Sequence, residues 1–178
     1  MSDTARSLAE LQTLLADNTS GAISPQDIRD FLASVTPPYG AFSRNVASAT
    51  TIVTPGTYYK AAGTTTVGNV RNMDMPTDNR LRYTGVSPRH FHIAVTVAMT
   101  TASVNNVVGI KIAKNGSVID NTITRRYVTT GADIGSTALH GDIVLTTNDY
   151  LELWVTNESD TDSVTIQELY FFAMGMLV

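Results

Sequence analysis

The chain has 178 residues, 43 % of them apolar and only 16 % charged, with no cysteine and a net charge of −4. Such a length suits one domain with a small appendage, and the lack of cysteine excludes disulfides, zinc–thiolate sites and thiol nucleophiles. The 12 Lys and Arg form no cluster beyond Arg125–Arg126, whereas phosphate binding needs several gathered cations, so nucleic acid is not an expected partner.

The charged share falls short of the rough quarter found in soluble domains. Thr, Val and Asn fill the gap, and the β-branched residues favour strands. A surface with few charges can also be buried against other chains without desolvating ions. Met1 to Arg6 is polar and the segment after it amphipathic, so no secretory leader is read. No apolar run is long enough to span a membrane. The expectation is a protein made in a cytoplasm, with no membrane partner.

In chain order, the first predicted elements are two helices. Leu8, Leu11, Leu14 and Leu15 fall at helical spacing and give one apolar stripe over about three turns. Asp17-Asn18-Thr19-Ser20-Gly21 stops it, with Asn and Gly tolerant of left-handed backbone. In Ser24-Pro25-Gln26-Asp27, Ser24 is an N-cap, Pro25 suits the first helical position, and Asp27 reaches back toward the cap. Ile28, Phe31, Leu32 and Val35 form the stripe of this second helix, and Pro37-Pro38 ends it. Two short helices with single stripes make no core alone. They fold against their own domain or order on a larger assembly. Residues 1–36 are therefore set apart from 37–178.

After Tyr39 a period of two takes over. Strands are predicted near 40–46, 50–53, 57–61, 67–71, 80–84, 89–100, 106–114, 117–126, 136–146, 149–157 and 163–176. Turn signals separate them, among them Pro55-Gly56, Gly63, Pro76-Thr77-Asp78-Asn79, Thr147-Asn148-Asp149 and Ser159-Asp160, as Gly, Pro, Asn and Asp clusters do. Asn115-Gly116 is the strongest, a dipeptide suited to the positive φ angles of a tight hairpin. With no long helix left to cover an open sheet, the fold class is all-β, a sandwich or barrel.

The strand from Phe91 carries Phe91, Ile93, Val95, Val97 and Met99 on one face and His90, His92, Ala94, Thr96 and Ala98 on the other, a half-buried pattern. The last strand differs. Ile166, Glu168, Tyr170, Phe172, Met174 and Met176 share one face; Leu169, Phe171, Ala173 and Leu177 share the other. A strand apolar on both faces is covered on both. The opposite sheet covers one; either a second copy or the N-terminal helices cover the remainder.

Residues 80–178 resemble the jelly-roll trimers of the tumour-necrosis-factor and complement-globular-head superfamily. Tyr83-Thr84-Gly85-Val86 before His90 to Val97 is similar to its glycine-containing entry into a long aromatic strand. Val108 to Gly116 is similar to its aliphatic strand with a Lys-Asn-Gly turn. Gly141 to Leu145 with Asn148 to Val155 is similar to its penultimate strand pair, although Asn148-Asp149 stands where Gly-Asp is usual. The resemblance implies a jelly-roll β-sandwich of ten strands forming a homotrimer, used for binding and not for catalysis. It also implies that Leu169, Tyr170, Phe171, Phe172 and Met174 lie at the trimer interface.

Leu8 to Val35 resembles a segment near the start of fibre, decoration and related proteins of tailed-bacteriophage particles. This implies a virion structural protein, with Leu8, Leu11, Leu15, Ile28, Phe31 and Leu32 as an anchor. Two roles follow. One is a capsid decoration (cement) protein on the capsid surface, seated between subunits of the major capsid protein. The other is a short head or tail fibre binding a host receptor or glycan through loops such as 129–136 and 157–163.

Chemistry is sparse. His90 and His92 share a face at a spacing seen in metal sites, but no third ligand accompanies them. His140 is read as a surface residue in a turn. Glu152 and Glu168 are read as solvated strand charges, although paired carboxylates could serve hydrolysis. No nucleophile elbow, Walker loop or dinucleotide motif occurs. No catalytic, cofactor-binding or metal residue is assigned, and no enzyme is expected.

Overall fold

The computed structural model describes residues 6–14, 23–129 and 133–176. Two helices lead, α1 (Leu8–Leu14) and α2 (Pro25–Val35). The strands follow: β1 (Tyr39–Arg44), β2 (Ser48–Thr50), β3 (Tyr59–Lys60), β4 (Thr66–Arg71), β5 (Met73–Thr77), β6 (Arg80–Tyr83) and β7 (Arg89–Thr101). After them come β8 (Asn106–Lys114), β9 (Ser117–Val118), β10 (Thr124–Val128), β11 (Gly135–Leu145), β12 (Tyr150–Asn157) and β13 (Val164–Gly175).

Two antiparallel sheets result. One runs β11-β7-β13-β1-β4 with β2 on β13; the other runs β10-β8-β12-β6-β5 with β3 on β12 and β9 on β8. From β6 onward the chain passes repeatedly between sheets: β7, β11 and β13 join the first, while β8, β10 and β12 join the second. The core lies between them. Phe42 on β1 stacks on Phe171 on β13 with ring centroids 4.8 Å apart, and Tyr83 meets Phe91 edge-on at 5.0 Å. Along β7, Phe91 to Met99 alternate into this core while His90, His92 and Thr96 face water.

Asparagine makes the corners. Asn72, Asn79, Asn105, Asn115 and Asn148 all take positive φ, 53° at Asn115 and 72° at Asn148, a region that Asn enters more readily than most residues. At the Asn148 corner, Asp149 accepts hydrogen bonds from the Thr146 N–H at 2.8 Å and the Asn115 side chain at 2.6 Å. Lys114 Nζ lies 2.9 Å from the same carboxylate. Two hairpin ends are thereby tied together.

Desolvation pushes the Asp149 carboxyl up, but the hydrogen bonds from Asn115, Lys114 and Thr146 outweigh it and hold the group well below the usual carboxylate range. A depressed folded value means that the stabilisation is complete above an ordinary Asp value of about 4. It is lost as pH falls through the folded value. In urea titrations, Asp149→Asn is expected to be weaker than the wild type by about 2 kcal/mol near neutrality. The two should begin to converge as pH falls below about 4 and meet only at the depressed folded value; parallel curves would refute the assignment.

Three departures from the predicted strands have local causes. The 117–126 run breaks into β9, a 3-10 turn at Asp120–Thr122 and β10. There the Thr122 hydroxyl accepts the Ile112 N–H at 3.0 Å and donates to the Ile119 carbonyl at 2.7 Å, replacing a ladder partner. The turn read at 76–79 is shorter than expected, because β5 continues through Pro76 to Thr77. A proline is tolerated on that edge strand. Finally, β13 bulges between Ile166 and Glu168. The inserted residue puts Ile166 in the core and Glu168 in water, so the two do not share the face that strict alternation assigns.

Candidate interaction surfaces

The outer face of the β13 sheet is built in ranks by the strand register. Phe172 lies between Ala94 on β7 and Ala41 on β1, and Ala94 in turn opposes His140 on β11. On one side is the rank Asp142, His92, Met174 and Tyr39; on the other is Ala138, Thr96, Tyr170 and Ser43. Tyr170 is 51 % exposed and Met174 42 %, and Phe172 is half-buried. A shallow depression bounded by Thr96, Ala98, Ser136, Ala138 and Tyr170 lies beside this apolar centre. Small side chains flank large ones, so Tyr170, Phe172 and Met174 form an apolar centre bordered by the polar His92, Thr96, Ser43 and Asp142.

Leu169 and Phe171 do not belong to that surface. They point between the sheets, 3 % and 0 % exposed, because neighbouring residues of a strand face opposite ways. Of the five residues assigned to an interface, only Tyr170, Phe172 and Met174 face outward.

The second sheet closes its outer face with its own residues. Glu152 is buried there, 3.1 Å from Lys60 and 2.9 Å from Arg80, and accepts the Trp154 indole N–H at 3.0 Å. It is a buried ion-paired group, not a solvated one, and it lies on the other sheet from Glu168. The two carboxylates do not meet. Nearby, Lys111 Nζ sits 2.6 Å from Asp120 and 4.4 Å from the centre of the Tyr58 ring. Burial, reinforced by the charge of Glu158, pushes the Tyr58 hydroxyl up to about 12.

The second surface is on α2. The Ser24 hydroxyl accepts the Asp27 N–H, and the Asp27 carboxylate accepts the Ser24 N–H at 2.7 Å, a complete capping box. The helix then docks by its polar side. Asp30 is 1 % exposed, 2.8 Å from the Arg6 guanidinium, and accepts the Gln26 amide at 2.7 Å. Ser34 accepts the Arg6 N–H at 2.8 Å, and its carbonyl accepts Arg89 from the start of β7. The apolar stripe consequently faces outward, with Ile28 47 %, Phe31 36 % and Leu32 56 % exposed.

Helix α1 is described over Leu8–Leu14 and is capped at its start by Ser7 and Glu10. Its Leu11 is buried at 4 % exposure beside Val35 and Pro88, so it serves the chain's own packing and not an anchor. Leu15 lies outside the described residues, as does the predicted stop at 17–21. The helices pack at the β7 end of the domain and leave Tyr170 and Met174 uncovered.

On the β13 sheet the histidines come together. His140 lies within β11 and not in a turn. Its Nδ1 is 3.3 Å from His92 Nε2, while His90 Nδ1 is 3.4 Å from Asp142. Among the described residues, no group of three or more His, Cys, Asp or Glu could hold a metal ion, and no helix is long and apolar enough to cross a membrane.

Strand order and packing define a two-sheet antiparallel sandwich of jelly-roll type. No family model and no curated protein matches the chain. Among solved structures, murine APRIL is similar at a TM-score of 0.50 and 6 % identity, over 79 % of this chain and 100 % of that one. The vertex protein P5 of PRD1 aligns at 0.49 and 6 % identity, over 79 % and 97 %. Rabbit GITRL aligns at 0.41 and 14 %, over 79 % and 93 %. At such identities the feature shared with APRIL is the fold.

Proposed function

We propose that the chain is a non-enzymatic structural protein of a tailed-phage particle. In this reading residues 37–178 form a homotrimer through the outer face of the β13 sheet, and residues 1–36 attach it to another virion protein. The observation that carries the reading is the pair of uncovered apolar surfaces, Tyr170–Phe172–Met174 on the sheet and Ile28–Phe31–Leu32 on α2. Covering each large apolar side chain is worth roughly 1.5–3 kcal/mol, and the described residues of one chain leave both surfaces partly in water. A trimer agrees with the jelly-roll class, whose cytokine neighbours are trimers. Attachment agrees with the resemblance of Leu8 to Val35 to phage virion segments.

The finer role is that of a capsid decoration protein, bound between major capsid subunits to hold the shell. Three anchors on one trimer act at high effective concentration, so weak single contacts sum to firm attachment. Two measurements test this. Sedimentation of the purified chain at micromolar concentration should give three times the mass of one chain; a monomer refutes the assembly. Quantitative gels of particles should give a copy number on the scale of the major capsid subunit, whereas a few copies per vertex or tail would replace decoration by a fibre.

A further inference from the structure

We propose that His92 and His140 form a chelate for a divalent transition metal of the zinc class on the outer face of the β13 sheet. Both ligands come from one chain, so the inference does not rest on the trimer.

Register builds the pair. Asp142 opposes His92 and His140 opposes Ala94 across β7 and β11, which makes the two imidazoles diagonal neighbours, a separation that long side chains bridge. Their rings are inclined by 29° with centroids 5.3 Å apart, and His140 Nδ1 lies 3.3 Å from His92 Nε2. A tetrahedral ion with metal–nitrogen bonds of about 2.0–2.1 Å needs its two nitrogen ligands about 3.3–3.4 Å apart. The observed spacing meets that requirement without moving either strand. Ligation through His140 Nδ1 and His92 Nε2 requires both rings neutral, with their hydrogens on His140 Nε2 and His92 Nδ1, so the ring that donates in the imidazole–imidazole hydrogen bond changes tautomer when the metal enters.

The surroundings favour this use of the pair. Asp142, the nearest carboxylate by register, is turned to His90 on the next diagonal at 3.4 Å, so it does not hold either ring of the pair as an imidazolium partner. Both rings are exposed in the single chain, and an ion reaches them from solvent wherever that face is not covered by another copy. With two ligands from the chain, the remaining coordination positions go to water or to a donor from a neighbouring copy.

The test is zinc titration by calorimetry of the full chain after treatment with a chelator, beside cobalt substitution followed by visible absorption. Binding in the micromolar range is expected, about −8 kcal/mol, with a cobalt spectrum of nitrogen ligation. His92→Ala and His140→Ala should each weaken zinc at least about tenfold, since each loses the tethered second ligand. His90→Ala should leave it unchanged. Absence of zinc binding at about 100 μM, or equal binding by wild type and the His92→Ala/His140→Ala double variant, overturns the proposal, leaving an imidazole–imidazole hydrogen bond only.

Discussion

If the outer face of the β13 sheet closes the proposed trimer, Phe172→Asp is expected to yield a folded monomer, whereas Phe171→Asp is expected not to fold. The two positions are adjacent on β13 and chemically identical, so only their direction differs. Phe172 lies over Ala94 and Ala41 on the outer face. In a single chain a carboxylate there reaches water at little cost. In a trimer closed by that face, each copy brings one charge into an apolar seam, and desolvating an unpaired charge costs several kcal/mol. Even a loss of about 2.7 kcal/mol raises the dissociation constant a hundredfold, enough to leave monomers at micromolar concentration. Phe171, by contrast, is fully buried and stacked on Phe42. A charge there competes with the entire stability of a domain, about 5–15 kcal/mol. Sedimentation and thermal melting separate the outcomes. A Phe172→Asp protein that still sediments as a trimer places the interface elsewhere, while one that fails to melt cooperatively shows that the outward face belongs to the core.

That contrast also marks how far the sequence could be read. Period-two alternation located β7, β8, β11 and β12, and on β7 it also named the inward residues, because burying Phe91 to Met99 on one side leaves no freedom of register. The Ser24–Asp27 cap of α2 was equally legible, since the hydrogen bonds it makes are local. What failed was long-range or single-residue in origin. The bulge at Ile166–Glu168 moves one residue across the sheet and has no signature of its own. The Thr122 hydroxyl that breaks the 117–126 run depends on Ile112 on another strand. Glu152 looked solvated because Lys60 and Arg80, which neutralise it, are 92 and 72 positions away. His140 was placed in a turn by its neighbour Gly141, although that glycine lies inside β11. Ser7-x-x-Glu10 is a capping signal that marks the start of α1 and went unread. For α2 the apolar stripe was found correctly but not its direction. Nothing in a helical period tells which face Arg6 and Arg89 will claim.

The direction of that stripe leads to the other large effect. An amphipathic helix ordinarily turns its apolar side to the core; α2 instead buries Asp30 and Ser34 and presents Ile28, Phe31 and Leu32. Replacing Ile28 and Leu32 together with Ser therefore removes only the half-buried part of two side chains from the packing of the described residues. Melting temperature and trimer mass should be unchanged. Binding to undecorated phage heads should collapse, because each anchor loses roughly 3 kcal/mol or more of apolar burial and three anchors lose it together. Multivalent attachment multiplies the single-site factors, so apparent affinity should fall by at least about a thousandfold in co-sedimentation with heads. Deleting residues 1–36 should reproduce that loss and keep the trimer. Asp30→Ala is the complementary variant. It frees Arg6 and loosens α2 from the β7 end, which should lower melting temperature while retaining the stripe and some binding. Heads decorated equally by wild type and the Ile28→Ser/Leu32→Ser variant would mean that the stripe has another purpose and that attachment runs through the jelly roll.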